Sequence, residues 1–169
     1  LPRVMGIGTI YAHTLGPSRS QWEPLDVHAH RVAELARSFT AEFSAGDWGE
    51  LLGRWHDLGK ASDKFQAYLN ETCDPDAAEA ARGPDHSTFG ARHAVDSVPN
   101  IAGQLLAFCI AGHHAGLADA TPVEDASARA TLGYKLNPAQ YAIEPVTLPP
   151  GASEPIQLRF PFATPSAAD

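Results

Sequence analysis

The sequence predicts an all-α protein, a single bundle of helices with no sheet beyond a short hairpin. Three observations predict it. Apolar residues recur at helical spacing in every segment that carries a candidate functional histidine. Those segments are bounded by Ser, Asp, Pro and Gly where helices start and stop. The candidate residues fall near positions 28, 56, 86 and 113, a spacing that suits successive antiparallel helices each delivering one side chain.

Taken in order, Ser18 to Pro24 reads as a turn into a helix, with Pro24 near the first helical positions. Val32, Leu35, Ala36, Phe39 and Phe43 then form one expected buried stripe, which His28 extends by one turn. Gly46 is the expected stop. Asp47 with Glu50 resembles a capping box, and Trp48, Leu51, Leu52 and Trp55 give the next inward face before Gly59 closes the helix. His56 and Asp57 thus fall in its last turn. Ser62 caps a short helix whose apolar contacts are Phe65, Tyr68 and Leu69, and residues 70–85 read as an acidic loop. Another helix starts near Asp85 to Ser87, with His86 at its N-terminus, and runs to about Val98, where Pro99 intervenes. From Asn100 the chain is apolar on nearly every side, the pattern of a central buried helix, and His113 and His114 end it. Beyond Gly116 a short helix around Val123 to Leu132 is expected, and from Pro138 the prolines favour irregular or extended chain.

With 169 residues and 44% hydrophobic content, the chain supports one core and not two. Residues 1–4, ahead of the single methionine Met5, read as an expression leader, residues 5–137 as the domain with its motifs between 9 and 120, and residues 138–169 as a Pro-rich irregular segment. Cys73 and Cys109 sit in unlike surroundings, which argues against a disulfide and for a reducing compartment. No leader of basic, apolar and small residues is present, and the apolar run Ile101 to Ala111 is too short for a membrane span. A cytoplasmic protein without a membrane partner is expected. A formal net charge of −8 argues against a strong stand-alone nucleic-acid binder, because non-specific affinity comes from Lys and Arg neutralising phosphates. Bound cations and a basic partner domain would offset it.

His56-Asp57-Leu58-Gly59-Lys60 is the most specific motif. Neutral imidazoles and a carboxylate bind first-row divalent ions, and a bridging carboxylate touches two ions at once. Two ions about 3.5–4 Å apart activate a water and stabilise the leaving oxygen of a phosphodiester. His113 and His114 both reach one ion only at a helix end, since adjacent side chains on a regular helix diverge by about 100°. Gly112 and Gly116 place them at such an end. His86 fits either a ligand or a histidine of the capping region, and His28 either a ligand or a hydrogen-bonded core residue. His30 should point elsewhere, His93 reads as structural, and for His13 the structural reading outweighs a place lining the site. Trp22, Trp48 and Trp55 read as core or edge residues, and the acidic run from Asp74 to Glu79 as a solvated loop. A site with several imidazoles favours Mn²⁺, Ni²⁺, Co²⁺ or Fe²⁺ over Mg²⁺, which prefers oxygen ligands.

The order His28, His56-Asp57, His86, His113-His114 resembles the HD superfamily of metal-dependent phosphohydrolases. Tyr11-Ala12-His13-Thr14, Trp22-Glu23-Pro24-Leu25 with His28, Trp55 to Lys60, Asp85 to Thr88 and Gly112 to Leu117 sharpen this. Together they look like the HD nuclease domain of the CRISPR-associated helicase-nucleases of type I systems. The resemblance implies a nuclease that cleaves single-stranded DNA after the CRISPR surveillance complex has opened its target, working with a helicase domain in cis or in trans. It also implies that His28, His56 and Asp57 hold one metal and that Asp57, His86, His113 and His114 hold the other. Lys60 would sit beside the ions and stabilise the transition state, so that Asp57 and Lys60 are its catalytic residues. The family adds a later aspartate to the first site, in a Leu-x-Asp-Ala-Asp-like segment. Nothing after Leu117 matches it, Asp119, Asp125 and Asp169 lying in other surroundings. The expectation is a chain that stops before the last helices of the domain. Two alternatives stay open: an HD-type nucleotide or cyclic-nucleotide phosphohydrolase, although Gly133-Tyr134 is followed by Lys135 and not by the proline of a Gly-Tyr-Pro signature, and a catalytically silent HD scaffold.

Overall fold

In the computed structural model, which describes residues 8–72, 83–120 and 131–161, a two-stranded antiparallel sheet leads into helices that account for most of the regular structure. Strand β1 (Tyr11–His13) pairs with β2 (Glu23–Pro24) across a 3-10 turn at Arg19–Gln21. Helices α1 (Leu25–Ala41), α2 (Gly46–Trp55) and α3 (Asp63–Glu71) follow, with a second 3-10 turn, Leu58–Ala61, between the last two. Then come α4 (Ser87–Ser97), α5 (Asn100–Gly112) and the short α6 (Leu132–Leu136). The all-α expectation, with one hairpin, is met.

Local chemistry accounts for most starts. Ser18 caps the first 3-10 turn with Gln21 reciprocating, and Ser62 accepts from the Phe65 amide to open α3. The Asp47–Glu50 capping box is not formed: α2 opens at Gly46 with Ala45 as its cap, and Asp47 and Glu50 face Arg37 of α1 instead. Gly46 therefore starts α2, and α1 has already ended at Ala41.

The stripe on α1 is also corrected. Leu35, Phe39 and Phe43 are 55%, 65% and 75% exposed, and the buried residues of the helix are Leu25 and Ala33. The cause lies on α2. Gly53 lets the two helix backbones approach so closely that a Cβ there would collide with the Ala33 backbone. That contact turns the small face of α1 inward and its large residues out.

The main core joins Leu51, Trp55, Leu58, Ala91, Ala94, Leu106, Ala107 and Ile110, contributed by α2, the adjoining 3-10 turn, α4 and α5. Helix α5 is not surrounded on all sides: Ile101 and Leu105 are exposed, and so is Cys109. Its small residues face α4, leaving one apolar side outward. Residues 142–149 and 154–160 are irregular, as the prolines predict, yet they are pinned to α2. The Trp55 indole donates to the Ala152 carbonyl at 2.9 Å and the Trp48 indole to that of Arg159 at 2.8 Å. Leu148, Ile156 and Leu158 pack on the core. The expected leader, most of the acidic loop with Cys73, and most of the helix expected at Val123 to Leu132 lie outside the described residues; α6 begins at Leu132, the last residue of that expected helix. Among the described residues, no helix is long and apolar enough to cross a membrane.

Candidate metal centre

Asp57 is the hub. Helix α2 ends at Trp55, His56 caps it in helical geometry, and Asp57 turns the chain into the 3-10 segment, so neighbouring side chains leave the backbone in different directions. The His56 and Asp57 pair therefore lies just past the last turn of α2 and not within it. Gly59 serves a close approach more than a sharp turn: its amide donates to the His86 carbonyl at 3.2 Å, and a Cβ there would collide with that carbonyl. The motif's glycine thus holds the start of α4 against Asp57.

Four imidazoles converge on the buried Asp57 carboxylate. His28 Nε2 and His56 Nε2 each lie 3.2 Å from Oδ2, and His113 Nε2 and His86 Nε2 lie 3.4 and 3.5 Å from Oδ1. His114 joins through its own Nε2, 2.9 Å from that of His86. Oδ1 makes no hydrogen bond of ordinary geometry although it is buried. Lys60 is buried as well, with Nζ 2.8 Å from Oδ2 and 3.3 Å from both the Ala12 carbonyl and His13 Nε2.

The electrostatics follow from this crowding. Burial alone would raise the Asp57 carboxyl, but the His113, His28 and His56 rings turned on it hold it far below the usual carboxylate range. Burial pulls His113 down, but Asp57 and the Ile110 carbonyl raise it above its ordinary value. His86 and His114 are lowered, by burial first. His13 falls to about 4 through burial and the nearby Lys60 cation, so it is neutral at neutral pH.

Among known families, the one described as Cas3, HD domain matches residues 15–146. The chain belongs to this family. No curated protein matches it at a significant level. The family places this Cas3 HD domain among the HD-type metal-dependent nucleases of CRISPR systems, with nucleic acid as substrate.

The donors present fit divalent ions. Asp57, His86, His113 and His114 form one group whose ligand atoms all lie within 4.8 Å of one another, and His28, His56 and Asp57 form another that shares the carboxylate. The close approach of the His86 and His114 Nε2 atoms and an unbonded buried carboxylate oxygen suit a cation between them. All seven residues expected at the site, Lys60 included, are brought together. His30 points away, its side chain 73% exposed beside Glu34, and His93 packs edge-on against Trp55.

Two further residues stand at the centre of this Cas3 HD domain. His13 lies with its ring 4.7 Å from that of His28, beside the site and not apart from it as its sequence context suggests. In the sequence Glu23 stands out only within Trp22-Glu23-Pro24-Leu25, yet its Oε2 lies 3.1 Å from His28 Nδ1. The signal that could have found it is its position five residues before His28 across a strand-to-helix junction. In the sequence Asp85 marks only the start of a helix within Asp85-His86-Ser87-Thr88. It caps α4 by accepting from the Ser87 and Thr88 amides at 3.1 Å, and this anchors the turn that carries His86.

Proposed function

We propose that this Cas3 HD domain cleaves single-stranded DNA during type I CRISPR interference, hydrolysing phosphodiesters with the help of two divalent ions. In this reading His28, His56 and Asp57 hold one ion and Asp57, His86, His113 and His114 the other. The observation that carries it is the convergence of four Nε2 atoms on both oxygens of one buried aspartate. When bound, the ions supply activation of water and stabilisation of the leaving oxygen.

The chain's own residues do the rest. Asp57 presents one oxygen to each histidine group and so sets their separation. The Lys60 ammonium, desolvated and 2.8 Å from Asp57, is a fixed positive charge at the centre where a scissile phosphate gains charge. An open cleft of about 650 Å³ lies beside His13, His28 and Arg31, on the His28 side of the centre. Only Arg31 among its lining residues is a permanent cation, with Glu23 and Glu34 alongside. The grip on DNA therefore comes from partners: a helicase domain, in cis or in trans, and the surveillance complex that exposes the strand.

The test is cleavage of single- and double-stranded oligonucleotides by the wild type and Asp57→Ala with Mn²⁺, alongside nucleoside triphosphates and cyclic dinucleotides. Slow Mn²⁺-dependent cutting of single strands alone, lost in the variant, is expected, because the His28, His56 and Asp57 group supplies only three donors among the described residues. Hydrolysis of free nucleotides without strand cleavage would make it a phosphohydrolase, and metal binding with neither activity would leave a silent scaffold.

A further inference from the structure

Three histidines of the centre are oriented by the backbone. His56 Nδ1 meets the Gly53 carbonyl at 2.8 Å, His113 Nδ1 that of Ile110 at 2.7 Å and His86 Nδ1 that of Pro84 at 3.1 Å. His56 and His113 find these acceptors because they cap the C-terminal ends of α2 and α5, where carbonyls have accepting capacity to spare, that of Ile110 taking otherwise only a long contact from the His113 amide at 3.5 Å. His28 stands in the first turn of α1, and there the free backbone groups are N–H donors. No helix carbonyl can serve it. Its acceptor comes from another element: Glu23 Oε2, at 3.1 Å from Nδ1.

The Glu23 carboxylate is itself held. Its side chain is only 12% exposed, its second oxygen pairs with Arg31 Nη1 at 2.5 Å, and β2 fixes its backbone opposite His13 of β1. A neutral imidazole has one N–H, so the ring nitrogen that donates leaves the other as the metal donor.

We propose that Glu23 is a positioning residue that fixes the His28 proton on Nδ1 and so presents Nε2 to the ion shared with His56 and Asp57. This rests on the metal-centre reading above. Carboxylate, histidine and metal would form a triad in which the outer partner sets ring orientation and donor strength. The hairpin, otherwise a minor part of an all-α fold, then has a purpose: it carries the one acceptor that α1 cannot supply.

The test uses Glu23→Ala and Glu23→Gln, measuring Mn²⁺ affinity by calorimetry and the His28 tautomer by ¹⁵N chemical shifts in metal-free protein, at a pH high enough for the ring to be neutral. For Glu23→Ala, affinity at the His28 site should fall ~10–100-fold, the other site should be unaffected, and Nε2–H should become populated at His28. Glu23→Gln keeps an acceptor oxygen and should restore most of the affinity and the Nδ1–H form. Unchanged affinity and tautomer in Glu23→Ala would overturn the proposal. Loss of one whole ion in both variants, with the tautomer unchanged, would also overturn it and make His13, Glu23 and His28 a metal site of their own. If the wild type binds no Mn²⁺, the metal-centre reading fails, and the tautomer alone still decides what Glu23 does to His28.

Discussion

Asp57 and His28 differ in how many jobs each does. Asp57 offers an oxygen to both histidine groups, whereas His28 gives one nitrogen to one of them. Asp57→Ala should therefore abolish binding of both ions and reduce cleavage to background. His28→Ala should spare the ion of His86, His113 and His114 and weaken the other by more than the ~10–100-fold typical of losing an outer partner. Metal analysis of both variants checks this, and one ion retained in Asp57→Ala would refute the shared ligand. Lys60 is separable from both. It pairs with Asp57 but belongs to neither ligand group, so Lys60→Met should keep two ions while cleavage drops ~10²–10³-fold. Full activity in that variant would remove Lys60 from the chemistry.

At the scale of elements, the site depends on where α4 starts. Gly59→Ala would push the His86 backbone away from Asp57, costing about 1–3 kcal/mol of stability and the ion bound by His86. Equal thermal unfolding and metal content in this variant would argue against the close approach. The cap of α4 adds a pH dependence. Burial raises the Asp85 carboxyl, but the Thr88 and Tyr141 hydroxyls and the Thr88 amide bring it down to about 2. A depressed folded value means stability present above the ordinary carboxylate pKa and lost as pH falls from about 4 towards 2. Tyr141, pushed up to about 12 by burial and then Asp85, gives the opposite limb: stability present below its ordinary pKa and lost as pH rises through about 12. Tyr141→Phe should cost about 1–2 kcal/mol near neutrality and flatten both limbs in urea unfolding. Helix positions and the ordered histidine motifs were legible because spacing, caps and prolines are local signals. The inward face of α1 was not, since Gly53 on another helix decides it. Nor was Glu23, whose role depends on a strand pairing and on the lack of carbonyls at a helix start.

For the molecule as a whole, metal and charge are linked. A chain of formal net charge −8 gains from binding cations, which lessen its self-repulsion and hold α1, α2, α4 and α5 to one hub. Ions that bind only the folded state stabilise it by RT ln(1 + [L]/Kd), about 2.7 kcal/mol at a hundredfold excess over Kd. The two groups should not load equally. Asp57, His86, His113 and His114 supply four donors, whereas His28, His56 and Asp57 supply three among the described residues. Glu23 does not make up the difference on the same ion, because it faces the Nδ1 side of His28 while the shared donor is Nε2. The four-donor site should therefore fill first, and the three-donor site should fill at higher concentration with water completing its shell. With so many imidazoles, Mn²⁺, Co²⁺ or Ni²⁺ should raise the melting temperature at lower concentration than Mg²⁺ does. Calorimetric titration into chelator-stripped protein should resolve two unequal steps. In Asp57→Ala both steps should vanish, and in His28→Ala only the weaker one. A single step of two equivalent ions, or equal stabilisation by Mg²⁺ and Mn²⁺, would contradict this assignment of donors.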